Sequence, residues 1–474
     1  MQLSSQLTEA IKNAGQEHLL SFWNELTDSE QQSFAAQLEA VDFPALGELI
    51  HDYVLKRPET TIPEDLSPAP YFPLVPRNEE EKARSEEAVQ KGKELLASGR
   101  VCCLTVAGGQ GTRLGFDGPK GSYPIGPVTG RSLFAYFAQN IKRAGEKYGK
   151  PLTWYIMTSK LNNQDTVEFF RKNNFFGLQE DKVFFFVQGT MPAIGYDGKL
   201  LMSAKNSLSL SPDGHGGTLL ALRKSGALDR MKAEGTDIIS YFQVDNPLVH
   251  VADPLFIGMH HLEKAEMSAV MLSKTGPLEK LGNFCVSNNR LQIIEYSDLP
   301  DELAHKRYED GSLVYVAGSP AMHLIKREFV ENLTSSGNLK LPWHRADKKI
   351  PYIDKDGNAV APAEPNGVKL ESFIFDALPL AEKTMVMEFD RKEVFGPTKN
   401  PTGVDSAESC RQMLMERDAR RLEKAGVSVP RNADGTLAVM LEISPSTVLD
   451  DEDAVSFAST SSIVLRPGQK VELA

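Results

Sequence analysis

Between Leu104 and Ser122 the chain reads LTVAGGQGTRLGFDGPKGS, six glycines with Arg113 and Lys120 in nineteen residues directly behind an apolar run. Gly108, Gly109 and Gly111 let successive backbone N–H groups converge on an anion, because no Cβ obstructs a close approach and a positive φ is allowed. Arg113 and Lys120 add fixed positive charge. The chemistry open to this stretch is therefore the binding of phosphate.

Two familiar phosphate loops fail on spacing. A Walker loop needs GxxxxGK[ST] opening a helix directly, whereas Lys120 lies in PKGS. A dinucleotide fingerprint needs GxGxxG, whereas Gly109, Gly111 and Gly115 give GxGxxxG, and no acidic residue about 20 positions on is placed to hold a ribose hydroxyl. A glycine-rich turn without function would not explain the glycines, Arg113 and the trailing Pro-Lys together. A credible serine or cysteine triad is also lacking.

Positioning the loop falls to the elements on either side. VCCLTVA before it is strand-like, and RSLFAYFAQNIKRA after it carries Leu133, Phe134, Phe137 and Ile141 at helical spacing. The loop thus leaves the carboxyl end of a strand, where α/β folds bind ligands. TWYIMTS, KVFFFVQ, IISYFQV and SAVML read as further buried strands with helical patterns between them. That alternation predicts an α/β domain over residues 99–395, a mixed, mostly parallel sheet with helices on both faces. Two strand-like segments between Asn283 and Tyr296 flank Asn288 and Asn289, which predicts a hairpin inserted into this domain.

Residues 1–98 read as a helical N-terminal region. Leu19, Phe22, Trp23, Leu26, Phe34, Leu38 and Val41 recur at helical spacing, and Thr27 with Glu30 forms a capping-box pattern. Residues 57–76, RPETTIPEDLSPAPYFPLVP, are too rich in proline for helix and predict an extended connector, followed by a polar helix from Asn78 to Ser98. Residues 396–474 predict an amphipathic helix over Val404–Ala425, then a small C-terminal β domain.

Composition bounds the function. A chain of 474 residues, 41% hydrophobic and 24% charged, is that of a globular protein with more than one domain. A net charge of −12 argues against a broad nucleic-acid or anionic-membrane surface, so a phosphate site must be local. The first residues lack a basic stretch followed by an apolar one, and no apolar run approaches the roughly 20 residues that span a bilayer. Cys102, Cys103, Cys285 and Cys410 form no CxxC pair, so neither disulfides nor a cysteine zinc site is expected, and a cytoplasmic location fits.

AGGQGTRLG (Ala107–Gly115) followed by PKG (Pro119–Gly121) resembles the nucleotide-binding signature of the eukaryotic-type UDP-sugar pyrophosphorylase family, above all its UDP-N-acetylhexosamine (UDP-N-acetylglucosamine) branch. The resemblance covers most of the chain. QEHLLSFWNEL (Gln16–Leu26), VQGTMPAIGYDGKLL (Val187–Leu201), SPDGHGGTLLAL (Ser211–Leu222), YFQVDNPLVHVADPLFIG (Tyr241–Gly258), IIEYSDL (Ile293–Leu299), ESFIFDAL (Glu371–Leu378), FGPTKN (Phe395–Asn400) and LEISP (Leu441–Pro445) follow in the family's order. It implies a Rossmann-like, GT-A-like nucleotidyltransferase fold. It also implies a reaction in which UTP and a sugar 1-phosphate give a UDP-sugar and pyrophosphate with Mg2+ or Mn2+. The sugar phosphate is then the nucleophile, and catalysis is mostly positioning and charge neutralisation.

The same resemblance implies roles. Gly108, Gly109, Gly111 and Thr112 would hold base and phosphates, Arg113 would meet the departing phosphates, and Lys120 would neutralise charge near the α-phosphate. Gln188 would read the uracil edge, with Gly214 against the base and His215 facing the sugar. Asp245 would bind Mg2+, its alternative being a helix N-cap or turn aspartate. Lys399 would reach the phosphates from beyond the main domain. Gly282, Glu295, Ser319, Phe373 and Phe375 would shape the sugar pocket. A strand glutamate facing water remains the other reading of Glu295, and core packing that of one of the two phenylalanines, expected i,i+2 on one strand face.

Two positions depart from the acetylhexosamine pattern: His215 replaces a usual Asn, and Ser319 follows Ala317-Gly318 where Asn is usual. Both fall where sugar contacts are implied. N-acetylglucosamine 1-phosphate is the favoured substrate, with a UDP-glucose or broad-specificity UDP-sugar enzyme as alternative. More distant alternatives are a UDP-sugar-dependent glycosyltransferase, which would not need the triphosphate cradle, and an inactive nucleotide-sugar sensor, which would not need Arg113, Lys120, Asp245 and Lys399 together.

Overall fold

All five apolar runs become strands of one sheet. Numbered along the chain within it, the strands are β1 (Ser67–Pro68), β2 (Val101–Val106), β3 (Trp154–Thr158), β4 (Val183–Val187), β5 (Ile238–Gln243) and β6 (Met267–Ser273). There follow β7 (Gly282–Ser287), β8 (Arg290–Ile294), β9 (Ala317–Ser319), β10 (His323–Lys326) and β11 (Thr384–Glu388). They lie in the order β1-β7-β9-β6-β10-β5-β2-β3-β4, with β8 on β7 and β11 on β6. The computed structural model describes residues 3–57, 62–339 and 341–474, grouped into two units. The sheet belongs to the larger one, which contains 62–188, 218–339 and 377–474.

The expectation of a mostly parallel sheet is corrected. Among the described residues four of its ladders are parallel and six antiparallel. The parallel wing β5-β2-β3-β4 consists of the long apolar runs, whose helical connections allow parallel pairing. The other wing is built from short strands such as β9 and β10, joined by turns that antiparallel pairing permits, and runs of three or four residues carry no readable period.

Local chemistry accounts for the helices. Ser132 caps the helix Leu133–Tyr148 by accepting from the Ala135 N–H, and Phe134 and Phe137 of this helix meet the Trp154 ring of β3 at centroid distances of 6.2 and 6.3 Å. Asn78 caps Glu79–Ala97, and Asp253 caps Pro254–Leu262. These last two helices touch backbone to backbone. A Cβ on Gly92 would overlap the Pro254 carbonyl, and one on Gly258 the Ala88 carbonyl, so glycine at both positions sets the separation. Of the expected connector, residues 67–72 run along the sheet after a turn at Glu64 and Asp65: Ser67 and Pro68 pair with β7, the Phe72 N–H donates to the Val386 carbonyl (3.0 Å), and the Phe72 carbonyl accepts from the Glu388 N–H (2.9 Å). Residues 58–61 of the connector lie outside the described residues.

The predicted hairpin is β7–β8. Asn288 and Asn289 at its turn have φ of 50° and 58°, the left-handed pair that a type I′ turn needs and that asparagine tolerates. Toward the C-terminus, Ala407–Lys424 is helical behind a Ser406/Ser409 capping box. The stretch expected as strands alone holds one parallel pair, Met440–Ile443 with Lys470–Leu473, and between them the helix Asp451–Thr460, the crossover a parallel pair requires.

The smaller unit joins 3–57, 189–217 and 341–376. Its helices Ser5–Asn13, Asp28–Glu39 and Phe43–Leu49 are capped by Ser4, Thr27 and Asp42, and the Thr27–Glu30 capping box forms as expected. Ile11, Leu19, Phe34 and Leu38 from this helical part share a core with Ile194, Leu200, Val368 and Leu370. Gln16, itself buried, stitches the segments by donating to the Gly198 carbonyl and accepting from the Leu200 N–H, both at 2.9 Å.

Candidate active site

Behind β2 the chain keeps strand geometry for one more residue, the Ala107 N–H donating to the Met157 carbonyl (2.7 Å), and then opens into the glycine loop. Two bonds pin its arms together: the Gly111 N–H to the Gly118 carbonyl (2.9 Å) and the Lys120 N–H to the Gly109 carbonyl (3.0 Å). Among the described residues, the N–H groups of Gly108, Gly109 and Gln110 donate to no protein group. Nothing would meet a Cβ at Gly109, whereas one on Gly108 would overlap Gln188 Oε1. Gln188 directly follows β4, is buried, and donates its N–H to the Thr158 carbonyl (2.9 Å). Thr112 and Arg113 lie exposed on a short 3-10 turn closed by Gly115 at φ 68°. The Gln110 Oε1 atom is buried without a protein partner, a feature that the reading of glycines and charges passed over.

Parallel register brings a carboxylate to this loop. β5 lies beside β2 with Gln243 opposite Val106, so Asp245 emerges next to the cradle. Its Oδ2 is 3.2 Å from Lys120 Nζ, and both side chains are mostly buried, at 12% and 17% exposure. No helix begins at Asp245, which excludes the N-cap reading, whereas the residue does lie in a turn, the other alternative for it. Its carbonyl accepts from the Thr398 N–H (2.9 Å), which ties the next candidate, Lys399, into the same unit. The N–H groups of Lys399 and Asn400 both donate to the Asp405 carbonyl, and Asp405 holds a left-handed φ of 57°. Burial pushes the Asp405 carboxyl up while Lys399 pulls it down. Among the described residues no group of three or more His, Cys, Asp or Glu side chains could cage a metal.

Three sugar-side candidates meet at the other wing. Gly282 on β7 pairs with Ser319 on β9, and a Cβ at Gly282 would lie 3.3 Å from Glu295 Oε1. Glu295 lies just beyond β8 rather than within a strand, its carbonyl accepting from the N–H groups of Asp298 and Leu299. Beneath them sits Lys274, unforeseen because an isolated lysine after a strand reads as solvated. Its buried ammonium donates to Asn283 Oδ1 (2.8 Å) and the Pro277 carbonyl (3.0 Å), and burial pulls its pKa down.

The other candidates belong to the smaller unit. Gly214 has φ 85°, and a Cβ there would overlap the Ser372 carbonyl. Phe373 and Phe375 are not on a strand: pairing ends at Glu371, and Ile374–Leu380 is a 3-10 helix. Polar bonds cause the break, the Ser372 N–H donating to the Asp213 carbonyl (2.9 Å) and the Phe373 N–H to Asp376 Oδ2 (3.3 Å). His215 stacks on Phe373 with ring centroids 5.1 Å apart, and His344 stacks on Phe373 at 4.1 Å. His215 Nδ1 accepts from the Ile374 N–H (3.2 Å), and burial, then His344, pushes its pKa down to about 4, so the imidazole is neutral near pH 7. His344, whose Nε2 is 2.8 Å from Asp376 Oδ2, carried no spacing signal in the sequence.

Free N–H groups, a lysine and a carboxylate at the ends of adjacent parallel strands are what moving a nucleotide's phosphates requires, and the class they define is a nucleotidyltransferase. Within it, residues 67–439 match the family described as UTP–glucose-1-phosphate uridylyltransferase, and the chain belongs to that family. It is 37% identical over 431 residues to a human protein named UDP-N-acetylhexosamine pyrophosphorylase-like protein 1, covering 88% of this chain and 85% of that one. It is 31% identical over 468 residues to a probable UDP-N-acetylglucosamine pyrophosphorylase of Dictyostelium discoideum, covering 95% of each. Among solved structures it is similar to the uridine diphosphate N-acetylglucosamine pyrophosphorylase of Trypanosoma brucei in complex with inhibitor. That match has a TM-score of 0.81 at 25% identity and covers 97% of this chain and 96% of that one.

Proposed function

We propose that this enzyme joins UTP and N-acetylglucosamine 1-phosphate into UDP-N-acetylglucosamine and pyrophosphate, on a Rossmann-like, GT-A-like nucleotidyltransferase fold. The observation that carries the reading is the unpaired N–H cradle of Gly108, Gly109 and Gln110 beside the Lys120–Asp245 pair. A sugar-phosphate oxygen attacks the α-phosphorus in line, the bond to the bridging oxygen breaks, and pyrophosphate leaves. No protein nucleophile is needed.

Gly108, Gly109 and Thr112 hold the triphosphate, Gly111 closes the loop instead because its N–H is taken by the Gly118 carbonyl, and Arg113 bridges oxygens of the departing pair as a fork. Lys120 and Lys399 offset charge that builds on the α-phosphate. Gln188 and Gly214 address the base. His215, Gly282, Glu295, Ser319, Phe373 and Phe375 address the sugar. Asp245 fits Mg2+ or Mn2+: it is one hard carboxylate, and Mg2+ is typically bound by one or two carboxylates together with substrate phosphates and water. When bound, the metal would neutralise phosphate charge. The buried, unpaired cysteines support a reducing compartment such as the cytoplasm.

The name of the human relative supports an N-acetylhexosamine, and that of the Dictyostelium relative N-acetylglucosamine. His215 and Ser319 favour a second reading in which glucose 1-phosphate is also used. Running the reaction in reverse tests the proposal: UDP-N-acetylglucosamine, pyrophosphate and Mg2+ should yield UTP and sugar 1-phosphate in a 31P NMR spectrum. A spectrum that stays unchanged, or one showing free UDP instead, contradicts it.

A further inference from the structure

We infer that Asn162 is a positioning residue that orients the nucleotide loop, an inference that rests on the uridylyltransferase reading. Asn162 is fully buried and its amide is saturated. Nδ2 donates to the carbonyls of Ala107 (2.9 Å) and Gly109 (3.2 Å), while Oδ1 accepts from the Ser159 N–H (2.9 Å) and hydroxyl (3.0 Å). The residue is itself rooted: its N–H donates to the Ser159 carbonyl (3.2 Å), and its carbonyl accepts from the Thr166 N–H (2.9 Å) in the helix Asn163–Lys172.

A trans peptide points its C=O and N–H in opposite directions. Drawing the Ala107 and Gly109 carbonyls toward Asn162 therefore turns the N–H groups of Gly108 and Gln110 away from it. Those are two of the three cradle groups without a protein partner. The Gly109 carbonyl also accepts from the Lys120 N–H, so Asn162 and the start of the PKG segment meet on one oxygen. One amide thus fixes the direction of the cradle and the anchor of its lysine. Glycine loops are pliable, and without such a clamp their N–H groups would not be held convergent on an anion.

The test is steady-state kinetics of the full chain with Asn162→Asp, which keeps the acceptor side toward Ser159 but sets an oxygen against two carbonyls. The KM for UTP should rise about tenfold or more, as expected for losing two buried donor bonds, while the KM for sugar 1-phosphate stays within about twofold. A thermal melt establishes that the variant is folded. Should it not fold, Asn162→Ser, which removes both donor bonds to the loop without adding charge, should show the same split. An unchanged KM for UTP, or equal rises in both constants, overturns the role of Asn162 alone. A wild-type enzyme that neither binds UTP nor releases pyrophosphate overturns the uridylyltransferase reading beneath it.

Discussion

In the proposed reaction the Lys120 ammonium, 3.2 Å from Asp245, offsets charge on the α-phosphate. Its charge matters most as the α-phosphate becomes crowded, so Lys120→Ala should lower kcat by about 10²–10³ while the Kd for UDP-sugar changes by less than tenfold. Equal losses in both would remove that role. His215 acts differently, because its pKa lies near 4 rather than 6.5 and its neutral ring is the folded form. Protonation then favours the unfolded chain: the stability His215 contributes is complete above about pH 6.5 and is lost as pH falls toward 4. His215→Asn should therefore weaken the drop in urea midpoint between pH 7 and pH 5, and it should shift preference among sugar 1-phosphates with the KM for UTP nearly intact. An unchanged preference would put His215 outside the sugar pocket. The free N–H groups of Gly108 and Gly109 beside Lys120 were legible as a pattern because glycines and a lysine in one short loop are a local signal. Asn162 and His344 were not, since each acts through partners distant in sequence and leaves no spacing pattern.

Among elements, the contact of Glu79–Ala97 with Pro254–Leu262 makes the sharpest demand. A methyl at Gly92 has no room beside the Pro254 carbonyl. Gly92→Ala should cost about 3 kcal/mol in urea unfolding, the upper range for overpacking, and a change within about 0.5 kcal/mol would mean that the helices separate freely. Elements with strong local signals were read from the sequence: the Asn288-Asn289 hairpin, the Thr27–Glu30 capping box and the long strands of the parallel wing. Phe373 and Phe375 were misread because FIF alternates like a strand, while the bonds from Ser372 to Asp213 and from Phe373 to Asp376 that break it are tertiary. Apart from that hairpin and the strand Met267–Ser273, the antiparallel wing was missed for a related reason, since its shortest strands are defined by their neighbours rather than by their own period.

At the scale of the molecule, Glu442 ties the C-terminal segment to the loop that follows the glycine cradle. Its fully buried carboxylate accepts from the N–H groups of Val128 (2.9 Å) and Thr129 (2.8 Å), the Thr129 hydroxyl (2.8 Å) and Tyr136 (2.9 Å), and pairs with Arg131. Burial would raise its pKa, but those bonds outweigh burial and hold it below 4.5, so its stabilisation is present above that pH and lost as pH falls through the lowered value. Glu442→Gln should cost about 3 kcal/mol at pH 7 and flatten the loss of stability below pH 4.5, as followed by urea unfolding; no cost would make the junction dispensable. LEISP was recognisable as a block, yet nothing local in it announced a partner 313 residues away. The smaller unit was illegible for the same reason, because three separated stretches complete one core. The central claim is most directly tested by pyrophosphate release from UTP and Mg2+ with a panel of sugar 1-phosphates. Release with N-acetylglucosamine 1-phosphate, faster than with glucose or galactose 1-phosphate, is the predicted result. Release with none of them would contradict the account.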